Sequence, residues 1–299
     1  MSLIASPPRT QISRRHFLAA GACATGGLAL YAGEIERHAT QITHRDAFLP
    51  GLPPAFDGFR VVQLSDIHLD EFTEPYFLRD SVAQVNRLAP DAVFLTGDYV
   101  THEIGTRKFA IGAAWQCADI LKTLECRQVY AILGNHDLMV SGEEVTRALT
   151  SNGIPMLINS NLPLERGGAR IWLAGLDDPV RGQPNLNGAI PASIRHIAHE
   201  PVVLLCHAPD YANHVAAHPA GQAVALMLSG HTHGGQVRFP FLPPVYLPEL
   251  GKIYIEGWFH VGGVQLYVNR GLGSVGVPFR LDCPPEITVF TFRAQPGAA

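Results

Sequence analysis

Residues 61–68, Val61-Val62-Gln63-Leu64-Ser65-Asp66-Ile67-His68, read as a short apolar strand that stops abruptly in a carboxylate and an imidazole. The same event recurs four times downstream. Val93-Phe94-Leu95-Thr96 runs into Gly97-Asp98, and Ala131-Ile132-Leu133 into Gly134-Asn135-His136-Asp137. Val203-Leu204-Leu205-Cys206 runs into His207, and Leu226-Met227-Leu228 into Ser229-Gly230-His231-Thr232-His233. Short continuous apolar runs are the pattern of buried strands, and ligands of α/β sheets gather at strand carboxyl ends. Five such ends therefore point to one shared crevice.

The surrounding sequence supplies the rest of a layered α/β domain. Candidate strands are 60–64, 92–96, 129–133, 154–158, 170–174, 202–206, 225–228, 266–268 and 287–292, and helical periods cover 75–88, 109–124, 143–151 and 192–198. Strand and helix alternate early and strand dominates later, which fits helices packed on one sheet or on two facing sheets. Residues 58–295 hold this pattern, residues 34–57 read as a linker and lead-in strand, and residues 1–33 stand apart as a leader.

The chemistry comes from the donors. Asp66, His68, Asp98, Asn135, His207, His231 and His233 form a mixed oxygen and nitrogen set suited to hard and borderline divalent metals. Seven donors are too many for one four-coordinate ion and suit two ions sharing a bridging carboxylate, with positions left for water and substrate. A single strand-end histidine is usually a hydrogen-bonded structural residue, but five of the 14 histidines fall inside these blocks. The chain of 299 residues carries a net charge of −4, and no acid precedes Glu34. Beyond the leader, 19 cations face 26 acids, a net of −7, which disfavours nucleic acid as a partner. The five cysteines form no CxxC pair; Cys117 and Cys126 are best read as thiols.

Asp-x-His, Gly-Asp, Gly-Asn-His-Asp, His and Gly-His-x-His, in this order from 66 to 233, resemble the five blocks of the calcineurin-like metallophosphoesterase superfamily, and every block is intact. The resemblance implies two facing β-sheets flanked by helices, with the metal site at strand C-terminal ends. It implies a hydrolase of phosphoric esters that uses a metal-activated hydroxide and two divalent ions, Mn, Fe or Zn. Asp66, His68 and His233 would hold one ion, Asn135, His207 and His231 the other, and Asp98 would bridge. His136 would be catalytic, protonating the leaving oxygen or steadying the phosphoryl group, with Asp137 orienting its ring. Residues 230–236 and 269–273, with Pro278-Phe279-Arg280 and Pro284-Pro285-Glu286, resemble a membrane-associated bacterial phosphodiesterase branch. That branch is related to the UDP-2,3-diacylglucosamine pyrophosphatases. Arg270 is either a phosphate contact or a surface arginine at a turn. A non-catalytic scaffold, or a phosphomonoesterase or protein phosphatase on the same core, is the alternative to a phosphodiesterase.

Two segments bear on location. Ser13-Arg14-Arg15-His16-Phe17-Leu18, followed by a small-residue apolar run to Gly33, resembles a twin-arginine export signal, cleaved or kept as an anchor. That implies the twin-arginine translocase as a partner and a periplasmic or outer-face location. Phe239-Pro240-Phe241-Leu242-Pro243-Pro244-Val245-Tyr246-Leu247-Pro248 is an uncharged, proline-stiffened loop just after the last metal block. It either folds back over the core or forms an apolar lip that meets a membrane surface and a lipid-linked phosphate. Arg14→Lys with Arg15→Lys is expected to retain the protein in the cytoplasm, because lysine does not reproduce the paired guanidinium groups. Fractionation of cells expressing the double variant checks this, and unchanged export would remove the twin-arginine reading.

Overall fold

Each apolar run that ends in a metal-binding block is a strand in the computed structural model, which describes residues 13–69, 72–102, 107–197 and 199–295. The strands are β1 (Gln41–Leu49), β2 (Arg60–Leu64), β3 (Ala92–Leu95), β4 (Val129–Ala131), β5 (Ser160–Arg166) and β6 (Ala169–Gly175). They continue as β7 (Val202–Leu205), β8 (Val224–Ser229), β9 (Gly257–Val261), β10 (Val264–Val268) and β11 (Glu286–Ala294). The longer helices are α1 (Arg14–Leu30), α2 (Pro75–Leu88), α3 (Arg107–Leu121) and α4 (Asn135–Ser151).

Two sheets face each other, ordered β1-β11-β2-β3-β4 and β5-β6-β7-β8-β10-β9. β2, β3 and β4 run parallel, as do β6, β7, β8 and β10, so each set delivers its carboxyl ends to one edge. Alternation sets what each strand buries. Val61 and Phe94 point between the sheets, where they meet Leu205, Leu226, Phe290 and Phe292. Val62, Leu64, Val93 and Leu95 point outward and are covered by α2, α3 and α4. Val202, Leu204, Met227 and Leu266 fill the opposite outer face beneath short helical turns. Strands buried on both faces explain why the runs are continuously apolar.

The structure departs from the sequence reading at exposed or broken elements. Residues 154–158 make only a bridge from Met156 to Ala131, because Pro155 lacks an N–H and Asn159 turns the chain away at φ 50°. Residues 192–194 form a single tight turn in place of a helix, His196 adopts a positive φ, and Ala198 lies outside the described residues. α4 begins at Asn135 rather than 143, with a break at Ser141, where the backbone is extended. β5 and β9 are edge strands with half-polar sequences, so their pattern is weak.

The stretch 34–57 packs into the same body. All nine residues of β1 pair in parallel with β11, and Phe56 is fully buried between the sheets. Glu36 is buried and its Oε1 accepts from the Cys283 N–H at 2.8 Å. α1 is different: none of its residues is buried. Cys117 and Cys126 are free thiols.

Candidate metal centre

The turns that follow the strands aim the donors. Asp66, His68, Asp98, His231 and His233 have φ of 50°, 47°, 56°, 74° and 52°. This left-handed region costs a non-glycine residue of order 1–3 kcal/mol, and it persists where the surroundings over-determine it. Each turn swings its side chain off the strand into the crevice. Gly134 is required here, because a Cβ on it would lie 2.2 Å from Asp98 Oδ1.

The donors meet as two groups. In the first, His68 Nε2 and His233 Nε2 lie 3.1 Å apart, and His233 Nε2 is 3.4 Å from Asp66 Oδ1. In the second, His207 Nε2 is 3.2 Å from His231 Nδ1 and 3.1 Å from Asp98 Oδ2. Asp98 Oδ2 also lies 3.7 Å from His68 Nε2, so this carboxylate spans the two groups. All six residues are buried.

The outer nitrogens fix the rings. His207 Nδ1 sits 2.7 Å from the Thr96 carbonyl and His231 Nε2 is 2.7 Å from the Glu249 carbonyl. His233 Nδ1 is 3.3 Å from the Gly273 carbonyl, and His68 Nδ1 is 2.9 Å from Thr101 Oγ1. Carbonyl oxygens only accept, so His207 Nδ1 and His231 Nε2 carry protons, and His207 Nε2 and His231 Nδ1 face the centre. Ring nitrogens meeting at 3.1–3.2 Å need a proton or a cation between them. Asn135 adds a carboxamide Oδ1 that is buried without a hydrogen-bond partner among the described residues. An unmet buried acceptor is costly, and a divalent ion would satisfy it. The residues present therefore fit a pair of metal ions.

Electrostatics agree. Burial, with His233 and His136 adding to it, holds the His68 pKa well below its usual value. Burial and then the Arg280 guanidinium do the same to His233, and burial with His207 lowers His231 to about 4. Neutral imidazoles are the ligand form. His207 goes the other way: burial would lower it, but the charge and hydrogen bond of Asp98 override that and raise it. A proton and a divalent ion compete for its Nε2 lone pair, so metal binding there would release a proton.

His136 lies beside the centre on the wall of a cavity of about 720 Å³, with Asp98, Asn135, His231 and His233 at the floor. The His136 N–H donates to Asp98 Oδ1 at 2.8 Å, and its Nδ1 accepts from the His102 N–H at 3.0 Å. The neutral ring therefore carries its proton on Nε2. Asp137 does not orient this ring. Its carboxylate accepts instead from the N–H groups of Asp98, Tyr99 and Gly134 at 2.8–2.9 Å, tying the second and third blocks together. Burial and the adjacent Asp98 charge push the Asp137 carboxyl up to about 8, and cations beside Asp98 would oppose that. Arg270 does not line the cavity; it bonds Gln41 at 2.6 Å and faces Glu286 and Glu256. Asn269 is likewise buried against Thr288.

Several participants were not singled out in the sequence. Asp177-Asp178 follow β6 as a sixth strand-end polar cluster, the same signal as the other five. Arg280 is fully buried, and its guanidinium donates to the carbonyls of Gly273, Cys283, Arg270 and Gly271. Its partners are backbone atoms, which no sequence pattern marks. The 239–248 segment does not fold back over the core: Phe241, Leu242, Val245 and Tyr246 are exposed, and Val245 and Tyr246 line the cavity mouth.

Residues 59–235 match the family model described as calcineurin-like phosphoesterase. The uncharacterized metallophosphoesterase YkuE of Bacillus subtilis is 34% identical over 294 residues, covering 95% of this chain and 99% of its own. Phosphodiesterase YaeI of Escherichia coli is 31% identical over 288 residues, covering 93% and 98%. A transmembrane protein with metallophosphoesterase domain of Danio rerio is 32% identical over 255 residues, 79% of this chain and 54% of that one.

Asp98→Ala removes the carboxylate that spans both donor groups. Metal analysis of the purified variant is expected to find at least one ion fewer per chain than in the wild type. An unchanged metal content would remove Asp98 from the bridging position.

Proposed function

Because the chain belongs to the calcineurin-like phosphoesterase family of metal-dependent hydrolases, we propose that it cleaves phosphodiesters, lipid-linked phosphates in particular, at a membrane surface. The observation that carries this is the joining of two donor groups and an apolar rim in one cavity. Asp66, His68 and His233 would hold one ion, Asn135, His207 and His231 the other, and Asp98 would be shared. Bound there, Mn, Fe or Zn would lower the pKa of water and offset charge on phosphoryl oxygens. His136 supplies the Nε2 proton to the leaving oxygen, while the His102 N–H keeps the ring in that tautomer. Asp137 holds Asp98 and Gly134 in register by gripping their backbone N–H groups.

The membrane part rests on the rim. α1 with its following turns, Arg14–His38, is long and apolar enough to cross a membrane by length and composition. Its foot meets a loop that borders the cavity: the Arg280 N–H donates to Ala32 O at 3.1 Å, and Gly33 packs on Phe279. Val275 and Val277 of the same loop line the cavity, opposite in sequence to the exposed Val245 and Tyr246. Export by the twin-arginine translocase, with residues 1–33 as signal or anchor and 58–295 carrying the chemistry, belongs to this reading. So does kinship with the branch of the UDP-2,3-diacylglucosamine pyrophosphatases. Arg14 and Arg15 at the start of α1 support it.

Hydrolysis of bis(p-nitrophenyl) phosphate against p-nitrophenyl phosphate by the metal-reconstituted protein tests the diester reading, which fails if only the monoester is cleaved. His136→Ala is expected to keep both metals and lose about 10²–10⁴-fold in diester turnover. Unaltered turnover would make the ring structural. Phe241→Ser with Tyr246→Ser should lower turnover of vesicle phosphodiesters relative to a soluble diester. An equal fall on both would remove the lipid part of the proposal.

A further inference from the structure

The cavity wall carries a cation that the chemistry above does not use. Arg181 lines the cavity, is exposed, and its guanidinium has no hydrogen-bond or ion-pair partner among the described residues. The other acid and base groups lining the cavity are Asp98, Glu249, Tyr246 and the imidazoles of His102, His136, His231 and His233. Arg170 pairs with Glu200, Arg238 with Glu256, and Arg293 with Asp46, whereas Arg181 stands on the cavity wall.

The backbone beneath Arg181 is held far more firmly than an ordinary loop. Asp178 is fully buried, and its Oδ2 accepts from the N–H groups of Val180 at 2.9 Å and Arg181 at 2.6 Å. Its Oδ1 is buried with no hydrogen-bond partner among the described residues. Asp177 adds a second clamp, accepting from the Asp178 N–H at 2.9 Å and the Gln183 N–H at 2.7 Å. Asn159 Oδ1 takes the N–H groups of Asp177 at 3.1 Å and Asn185 at 2.8 Å. Gly182 leaves room for the clamp, since a Cβ there would lie 2.4 Å from Asp177 Oδ1. Burying a carboxylate to fix a turn is unfavourable unless its hydrogen bonds offset the lost hydration. Here two acids fix the turn that sets Arg181 on the cavity wall.

A phosphodiester carries one negative charge, and the two ions at the floor suffice for it. Building on the phosphoesterase reading above, we propose that Arg181 binds a second anionic group of the substrate, a phosphate or carboxylate apart from the phosphorus that reacts. Guanidinium geometry suits such an oxyanion through two parallel N–H bonds. Arg181 is thus a specificity residue that favours substrates with two anionic groups over singly charged esters.

The probes are thymidine 3′,5′-bisphosphate and thymidine 5′-phosphate, which share the group for the floor and differ by one phosphate. Calorimetric binding to the manganese-loaded protein should show the bisphosphate about 10–100-fold tighter, the range of a charged hydrogen-bonded contact. In Arg181→Ala that advantage should fall to near unity, and Arg181→Lys should keep part of it. Arg87→Ala, which removes a cation from the exposed end of α2, should keep all of it. No advantage in the wild type, or an undiminished one in Arg181→Ala, overturns the proposal. Turnover of thymidine 5′-(p-nitrophenyl phosphate) is measured alongside. Loss of that activity in the wild type would refute the diesterase reading, while the binding ratio still decides Arg181.

Discussion

Two carboxylates and four imidazoles, all buried, meet with their acceptor atoms 3.1–3.7 Å apart, and the rest of the molecule answers to that convergence. Such a cluster is unfavourable by itself, since burial strips its carboxylates and imidazoles of water. It can be held only by a frame stiff enough to keep the donors together until cations offset their repulsion. Parallel strands provide the frame, because each ends at the same edge and is fixed on both faces by core. The left-handed turns after β2, β3 and β8 are the local expense of that arrangement.

The second ring of contacts distributes the site over the whole fold. The groups that fix the inward nitrogens come from Thr96 at the end of β3, Thr101 beyond it, Glu249 after the apolar lip, and Gly273 after β10. Orientation of ligands by such partners is a general feature of metal sites. Here it makes the lip and the loop at 273 parts of the centre. Arg280 completes the set. Its guanidinium is buried without a carboxylate partner among the described residues, and it braces four carbonyls of the loop that covers Asp66 and His233.

That same loop is where the N-terminal segment lands. Ala32 and Gly33 contact Arg280 and Phe279, and Glu36 holds the Cys283 N–H, so the foot of α1 is tied to residues that touch His233. The apolar helix, the exposed lip and the cavity mouth therefore lie on connected structure.

The sequence by itself determined the buried strands, because runs apolar on both faces have no other stable place, and it determined the donor set, because each run stops in a chemically distinct block. Pro75–Leu88 was legible to the residue, with proline at its start and the apolar stripe through Val85. Edge strands β5 and β9 were not, since half-exposed strands lose the pattern that marks buried ones. Asp137 shows the limit most clearly. Its position beside His136 suggested a side-chain partner, but helix geometry turns the carboxylate toward three backbone N–H groups across the crevice. The grouping of the donors, the partner of each ring and the place of Arg181 on the cavity wall were decided only by tertiary structure. Each depends on backbone carbonyls and N–H groups brought together from distant segments, and those atoms are the same in every residue.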